Sequence, residues 1–132
     1  MYHPHKHQGP RAEYREQQRQ RVTASPSLAE KYGNVKSLTV NVGYYAPDGI
    51  IKYRNLTYDV NIDHAKSVFR LDCCNDECVQ GDHELSVELA KAIAKRAKTV
   101  VGELCCNGWQ NKALIKKTKC NHVLRYKLKL GY

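Results

Sequence analysis

Six cysteines, Cys73, Cys74, Cys78, Cys105, Cys106 and Cys120, crowd the second half of the 132-residue chain. Thiolate sulfur is a preferred donor for zinc, which takes four ligands in a tetrahedron. In a reducing compartment, cysteines at this density read as metal ligands or redox groups before disulfides; export would bring the disulfide reading back. Cys74, Cys106 and Cys120 are each followed by Asn (Asn75, Asn107, Asn121), whereas Cys73 and Cys105 are not. Asn tolerates the left-handed conformation and caps tight turns, which metal-binding knuckles need. The strand-Cys-Cys-Asn pattern occurs before and again after the predicted helix, as one solution used twice. The expected ligands are therefore Cys74, Cys78, Cys106 and Cys120. Cys73 and Cys105 are expected one pleat away, packed as small apolar residues.

Four sulfurs favour structural zinc over an iron–sulfur cluster, although the paired two-residue spacings of a zinc ribbon are absent. His83 and His122 are the reserve ligands. An all-cysteine shell leaves no open position for Lewis-acid chemistry. The Asp82-His83-Glu84 run reads as acidic residues at a helix start. There is no Gly-rich phosphate loop, no nucleophile motif and no Cys-x-x-Cys, so the chain reads as a binding protein more than as an enzyme. His3, His5 and His7 alternate and suit only a loosely held metal.

Cys74-x3-Cys78, Gly81-Asp82, Leu85-Ser86, Cys106-Asn107-Gly108-Trp109, Cys120 and Leu124-Arg125-Tyr126 follow one another in this order. The pattern is similar to one in small uncharacterised bacterial proteins and covers roughly residues 68 to 132. The resemblance implies the same four metal cysteines and brings no known activity.

The elements that position these residues are legible from periodicity. Leu38, Val40, Val42 and Tyr44 alternate with polar or small residues, the period of a half-buried strand. Pro47-Asp48-Gly49 marks a turn. A weaker alternation follows through Leu56, Tyr58, Val60 and Ile62, and residues 68 to 73 make a short third strand. Leu85, Leu89, Ile93 and Ala97 recur at helical spacing, with acidic residues near the start and basic ones near the end. Asp82 or Ser86 is the expected N-cap. Residues 99 to 105 are rich in Val, and the last segment alternates Leu124, Tyr126, Leu128 and Leu130 with Arg125, Lys127 and Lys129. The predicted fold class is α+β: a small antiparallel sheet with one covering helix, in the order β-β-β-α-β-β, stapled by the zinc site. Residues 34–132 form that domain. Residues 1–33 read as a flexible His- and Arg-rich basic arm, disordered or a solvated helix, because they have almost nothing to bury.

The net charge is +9, which favours an acidic partner without specifying a fold. Arg125, Lys127 and Lys129 share one strand face; Lys112, Lys116, Lys117 and Lys119 crowd the preceding loop. Cations so spaced neutralise phosphates, and Tyr44, Tyr45, Tyr53 and Trp109 offer rings for stacking on bases. The first reading is a nucleic-acid-binding accessory protein. The alternatives are an interaction adaptor for an acidic protein and a zinc-thiolate redox switch. No leader and no membrane-spanning run is visible, so the expected location is cytoplasmic, away from membranes.

Overall fold

The computed structural model describes residues 8–112 and 116–132. The side chains of residues 8, 110–112 and 116–118 lie outside the description, as do His3, His5 and His7. The chain runs α1 (Gln8–Ala24), α2 (Leu28–Lys31), β1 (Ser37–Tyr45), β2 (Lys52–Val60), β3 (Arg70–Asp72), β4 (Asp82–Glu84), α3 (Ser86–Ala94), β5 (Thr99–Cys105), β6 (Trp109–Lys112), β7 (Lys116–Lys119) and β8 (Val123–Gly131). The fold is α+β, as expected from the alternating strands and the amphipathic helix.

The main sheet has the order β2-β1-β8-β5, with every neighbouring pair antiparallel. The final strand enters the middle of the sheet because its apolar face is the most regular in the chain. Val40 lies opposite Tyr58 on one side and Leu128 on the other. Leu38, Val40, Val42 and Tyr44 of β1 and Leu124, Tyr126, Leu128 and Leu130 of β8 form one buried cluster with Leu28 and with Leu85, Leu89, Ala92 and Ile93. Gly102 of β5 lies opposite Tyr126. A Cβ there would collide with the Tyr126 ring and hydroxyl, so the glycine makes room for a large side chain in the core layer.

Helix α3 is stopped by Arg96, which lies two residues beyond Ala94 and whose φ of 51° is left-handed. The Ala97 amide bonds Ala92 O at 2.9 Å and the Arg96 amide bonds Ile93 O at 3.0 Å, the paired closure typical of a left-handed helix stop. The Arg96 guanidinium lies 4.8 Å from the centre of the Tyr132 ring, and the Tyr132 hydroxyl donates to Ala97 O at 2.9 Å. Tyr132 therefore fastens the end of the helix.

Three features differ from the sequence reading. Asp82 and Glu84 do not begin the helix; they form β4, paired with β3, and the N-cap is Leu85 without a side-chain bond. The Ser86 hydroxyl instead accepts from the Phe69 amide at 2.9 Å. Trp109–Lys112 and Lys116–Lys119, expected as a loop, pair as the short antiparallel strands β6 and β7. Residues 8 to 24 form a helix, one of the two states expected of the arm, but it is tied to the domain by polar contacts: Tyr14 to Asp82, Arg11 to Asp76 O, Arg15 to Asp72 and Arg21 to Glu84. Among the described residues, no helix is long and apolar enough to cross a membrane.

Candidate metal centre

Four loop ends converge beyond the edge of β3 and β4. Cys73, Cys78, Cys106 and Cys120 are all buried, and their sulfurs lie within 4.8 Å of one another. Cys73 Sγ and Cys120 Sγ are 3.5 Å apart, and Cys78 Sγ and Cys106 Sγ are 3.6 Å apart. A tetrahedral ion with Zn–S bonds of about 2.3 Å would set its sulfurs about 3.8 Å apart. Both the donor set and its spacing fit a metal ion.

The backbone lacing explains why these loops meet. The Cys78 amide bonds Asn75 O at 3.0 Å, closing the turn between the first two cysteines. Val79 and Trp109 exchange two backbone bonds of 2.7 and 3.1 Å. The Cys120 amide bonds Gly108 O at 2.9 Å, and the Cys106 amide bonds His122 O at 2.8 Å. Gly81 and Gly108 pack backbone against backbone beside the sulfurs. A Cβ on Gly81 would run into Cys78 Sγ, and one on Gly108 would stand 2.6 Å from the Gly81 Cα. Only glycine lets the two turns close to this distance.

Hydrogen bonds reach the sulfurs from outside the cluster. The Asn75 amide points to Cys73 Sγ at 3.5 Å and the Gly108 amide to Cys106 Sγ at 3.3 Å. The Asn75 side-chain amide reaches Cys120 Sγ at 3.5 Å. His122 Nδ1 lies 3.2 Å from Cys120 Sγ and 3.1 Å from Cys120 O. Both are acceptors once the sulfur is a thiolate, so the ring proton belongs on Nδ1. The Tyr53 ring stacks over His122, centroids 5.7 Å apart. Donors of this kind fix ligand orientation and stabilise thiolate charge.

The four hydrogen-bonded thiols titrate as a group and not one by one. Hydrogen bonding with Cys106, Cys120 and Cys78 holds Cys73 far above the usual thiol range. Hydrogen bonding with Cys106, Cys73 and Cys78 holds Cys120 far below it. Four thiolates cannot coexist at this spacing without a cation between them, so metal binding displaces the remaining protons.

The structure brings together three of the four expected ligands, Cys78, Cys106 and Cys120, and adds Cys73 in place of Cys74. Strand β3 ends at Asp72, so strand alternation no longer governs Cys73 and Cys74. Cys74 is half-buried and packs against the main core; burial raises its thiol pKa. Cys105, expected to be packed, is exposed at the end of β5. Of the three Asn residues, Asn121 has a positive φ, 52°, whereas Asn75 and Asn107 do not. The signal that identifies Cys73 is the amide two residues beyond it. Cys73 with Asn75 and Cys106 with Gly108 repeat that geometry.

The reserve histidines stand outside the sulfur cluster. His122 bonds a ligand sulfur. His83 is 1% exposed, and its Nε2 lies 3.0 Å from His122 O. A carbonyl only accepts, so Nε2 carries the proton. Nδ1 has no partner among the described residues, and burial lowers the pKa of the ring.

Arg125, Lys127 and Lys129 are exposed on the sheet face opposite the core, across from Gly43, Asn41 and Thr39. Arg125 lies 4.4 Å from the centre of the Tyr45 ring and bonds Glu103 at 3.2 Å. An open groove of about 730 Å³ runs along this face, lined by Asn41, Tyr45, Asn55, Val101, Arg125 and Lys127 among others. Lys119 is exposed. Lys112 lies in β6 and Lys116 and Lys117 in β7, with their side chains outside the description. Tyr44 is buried, and Tyr53 is 54% exposed.

Comparison with protein-family models, with curated proteins and with solved structures finds no match. The fold and the metal centre therefore stand on their own geometry.

Proposed function

We propose that this chain is a zinc protein whose four-cysteine centre is structural, and that its open cationic sheet face binds nucleic acid. The observation that carries the metal reading is the convergence of four buried sulfurs from separate loops. Zinc is favoured over other ions because an all-thiolate tetrahedral shell suits it, and sulfur–sulfur spacings of 3.5 and 3.6 Å suit one ion held by all four sulfurs. A closed shell of four protein ligands gives the ion a folding role. The free energy of binding becomes folding free energy, on the order of 10 kcal/mol in small zinc peptides at neutral pH. This metal chemistry agrees with a reducing, cytoplasmic setting.

Support for the nucleic-acid reading comes from charge and position. Three exposed cations follow one another along β8, beside Tyr45 and a row of Asn and Thr side chains. Such a face neutralises phosphates without reading sequence. The competing partner is an acidic protein, which would use the same cations. Titration of a fluorescent random-sequence single strand into the zinc-loaded protein at several salt concentrations separates the two. A steep fall in affinity with salt, reduced in slope by Lys127→Gln, supports phosphate contact. No binding at low salt removes the nucleic-acid reading and leaves the acidic protein.

A further inference from the structure

On the core side of β2, away from the open sheet face, α1, β2 and β3 enclose a cleft of about 480 Å³. Arg11, Arg15, Arg54 and Arg70 line it, with Tyr58 and Cys74 in its wall. Like charges rarely gather from three separate elements without a counter-charge, because each lowers the stability of the others.

The protein's own carboxylates do not supply that counter-charge in full. Arg70 is paired with two carboxylates: Nε bonds Asp82 at 2.7 Å and Nη2 bonds Asp72 at 2.7 Å. Arg15 Nε stands 3.8 Å from the same Asp72 oxygen, already held by Arg70. Arg11 Nη1 donates to the backbone carbonyl of Asp76 at 2.6 Å, a neutral acceptor that leaves its charge uncompensated. For Arg54, no hydrogen bond or ion pair is found among the described residues, although it lines the cleft. The remaining carboxylate in the lining is Asp76. Guanidinium groups stay charged at any physiological pH, so three cations face one unshared carboxylate.

We propose that this cleft binds a phosphate-type oxyanion, with Arg11, Arg15 and Arg54 as its cationic donors. Forked guanidinium groups from different directions match the tetrahedral oxygens of phosphate. The half-buried Tyr58 adds a hydroxyl at the wall. The cleft, at about 480 Å³, admits a phosphate and leaves room for a group esterified to it. Sequence motifs do not announce such a site, because Arg11, Arg15 and Arg54 meet only in the fold.

The test is calorimetric titration of inorganic phosphate into the zinc-loaded 132-residue chain at constant ionic strength. Saturable binding at one site per chain is expected. Arg54→Gln, on an exposed position of edge strand β2, is expected to weaken it tenfold or more, and Arg15→Gln to do the same. Lys95→Gln, exposed at the end of α3, controls for net charge and is expected to leave phosphate affinity unchanged. Titration of a dinucleotide without terminal phosphate identifies the source. Weak dinucleotide binding assigns a free phosphate or monoester, and equal binding assigns a phosphodiester. Absence of saturable phosphate binding, equal affinity in Arg54→Gln, or an equal loss in Lys95→Gln would overturn the proposal.

Discussion

The backbone amide of Asn75 points at the sulfur of Cys73, 3.5 Å away, while its side-chain amide reaches the sulfur of Cys120 at the same distance. One residue thus ties the first and last members of the cluster. It also explains why Cys73, rather than its neighbour, turns inward.

The adjacent cysteines are predicted to behave very differently. Cys73→Ser removes a sulfur from the centre, whereas Cys74→Ser changes a half-buried side chain that packs on the core edge. Metal affinity of Cys73→Ser should fall by more than the ~10–100-fold typical of losing a ligand's hydrogen-bond partner. Cys74→Ser should retain one metal per chain. Competition with a chromophoric chelator measures both.

Asn75→Ala and His122→Phe test the donors around the sulfurs. Each keeps all four ligands and loses hydrogen bonds to Cys120. The expected result is a folded, metal-loaded protein whose affinity is lower by about 10–100-fold. Chelator competition read at a fixed pH separates this from loss of a ligand.

Gly81→Ala and Gly108→Ala address the close approach of the two turns. The added Cβ has to displace Cys78 Sγ or the opposing backbone. Overpacking at a rigid contact costs about 1–3 kcal/mol or more. Both variants should melt at lower temperature and hold metal more weakly, whereas Gly33→Ala, whose added Cβ would meet nothing closer than 3.9 Å, should not.

Docking of α1 is predicted to be sensitive to acid and to salt. Its contacts to the domain are polar, and Arg21 holds the Glu84 carboxyl below its ordinary pKa of 4.5. In the detached state Glu84 binds a proton near 4.5; docked, it does so only at lower pH. The contribution of this pair is therefore present above about pH 4.5 and lost as pH falls through the lowered value. Salt screens the exposed pairs as well. Limited proteolysis should cut residues 8 to 24 faster at pH 4 or in 1 M salt than at pH 7 in low salt. Equal rates would contradict the docking.

The sheet and α3 were legible because their apolar residues repeat at periods of 2 and 3.6 over a long enough run. Three of the sulfurs were legible from their types and the turns around them. The choice between Cys73 and Cys74 was not, because the knuckle amide comes from two residues beyond the sulfur, not from the residue next to it. Strand β4 is three residues long, too short for alternation to show, and its acids imitate a helix start. Helix α1 has no apolar stripe. Its place is fixed by Tyr14 and Arg21 meeting Asp82 and Glu84, partners more than sixty residues away that no local pattern reveals.

The central claim is that four sulfurs share one zinc ion. X-ray absorption at the zinc edge, on protein purified without added metal and quantified for metal content, tests it most directly. One zinc per chain is expected, with four sulfur scatterers at about 2.3 Å. A folded protein without metal, or a first shell containing nitrogen or oxygen at about 2.0 Å, would contradict it.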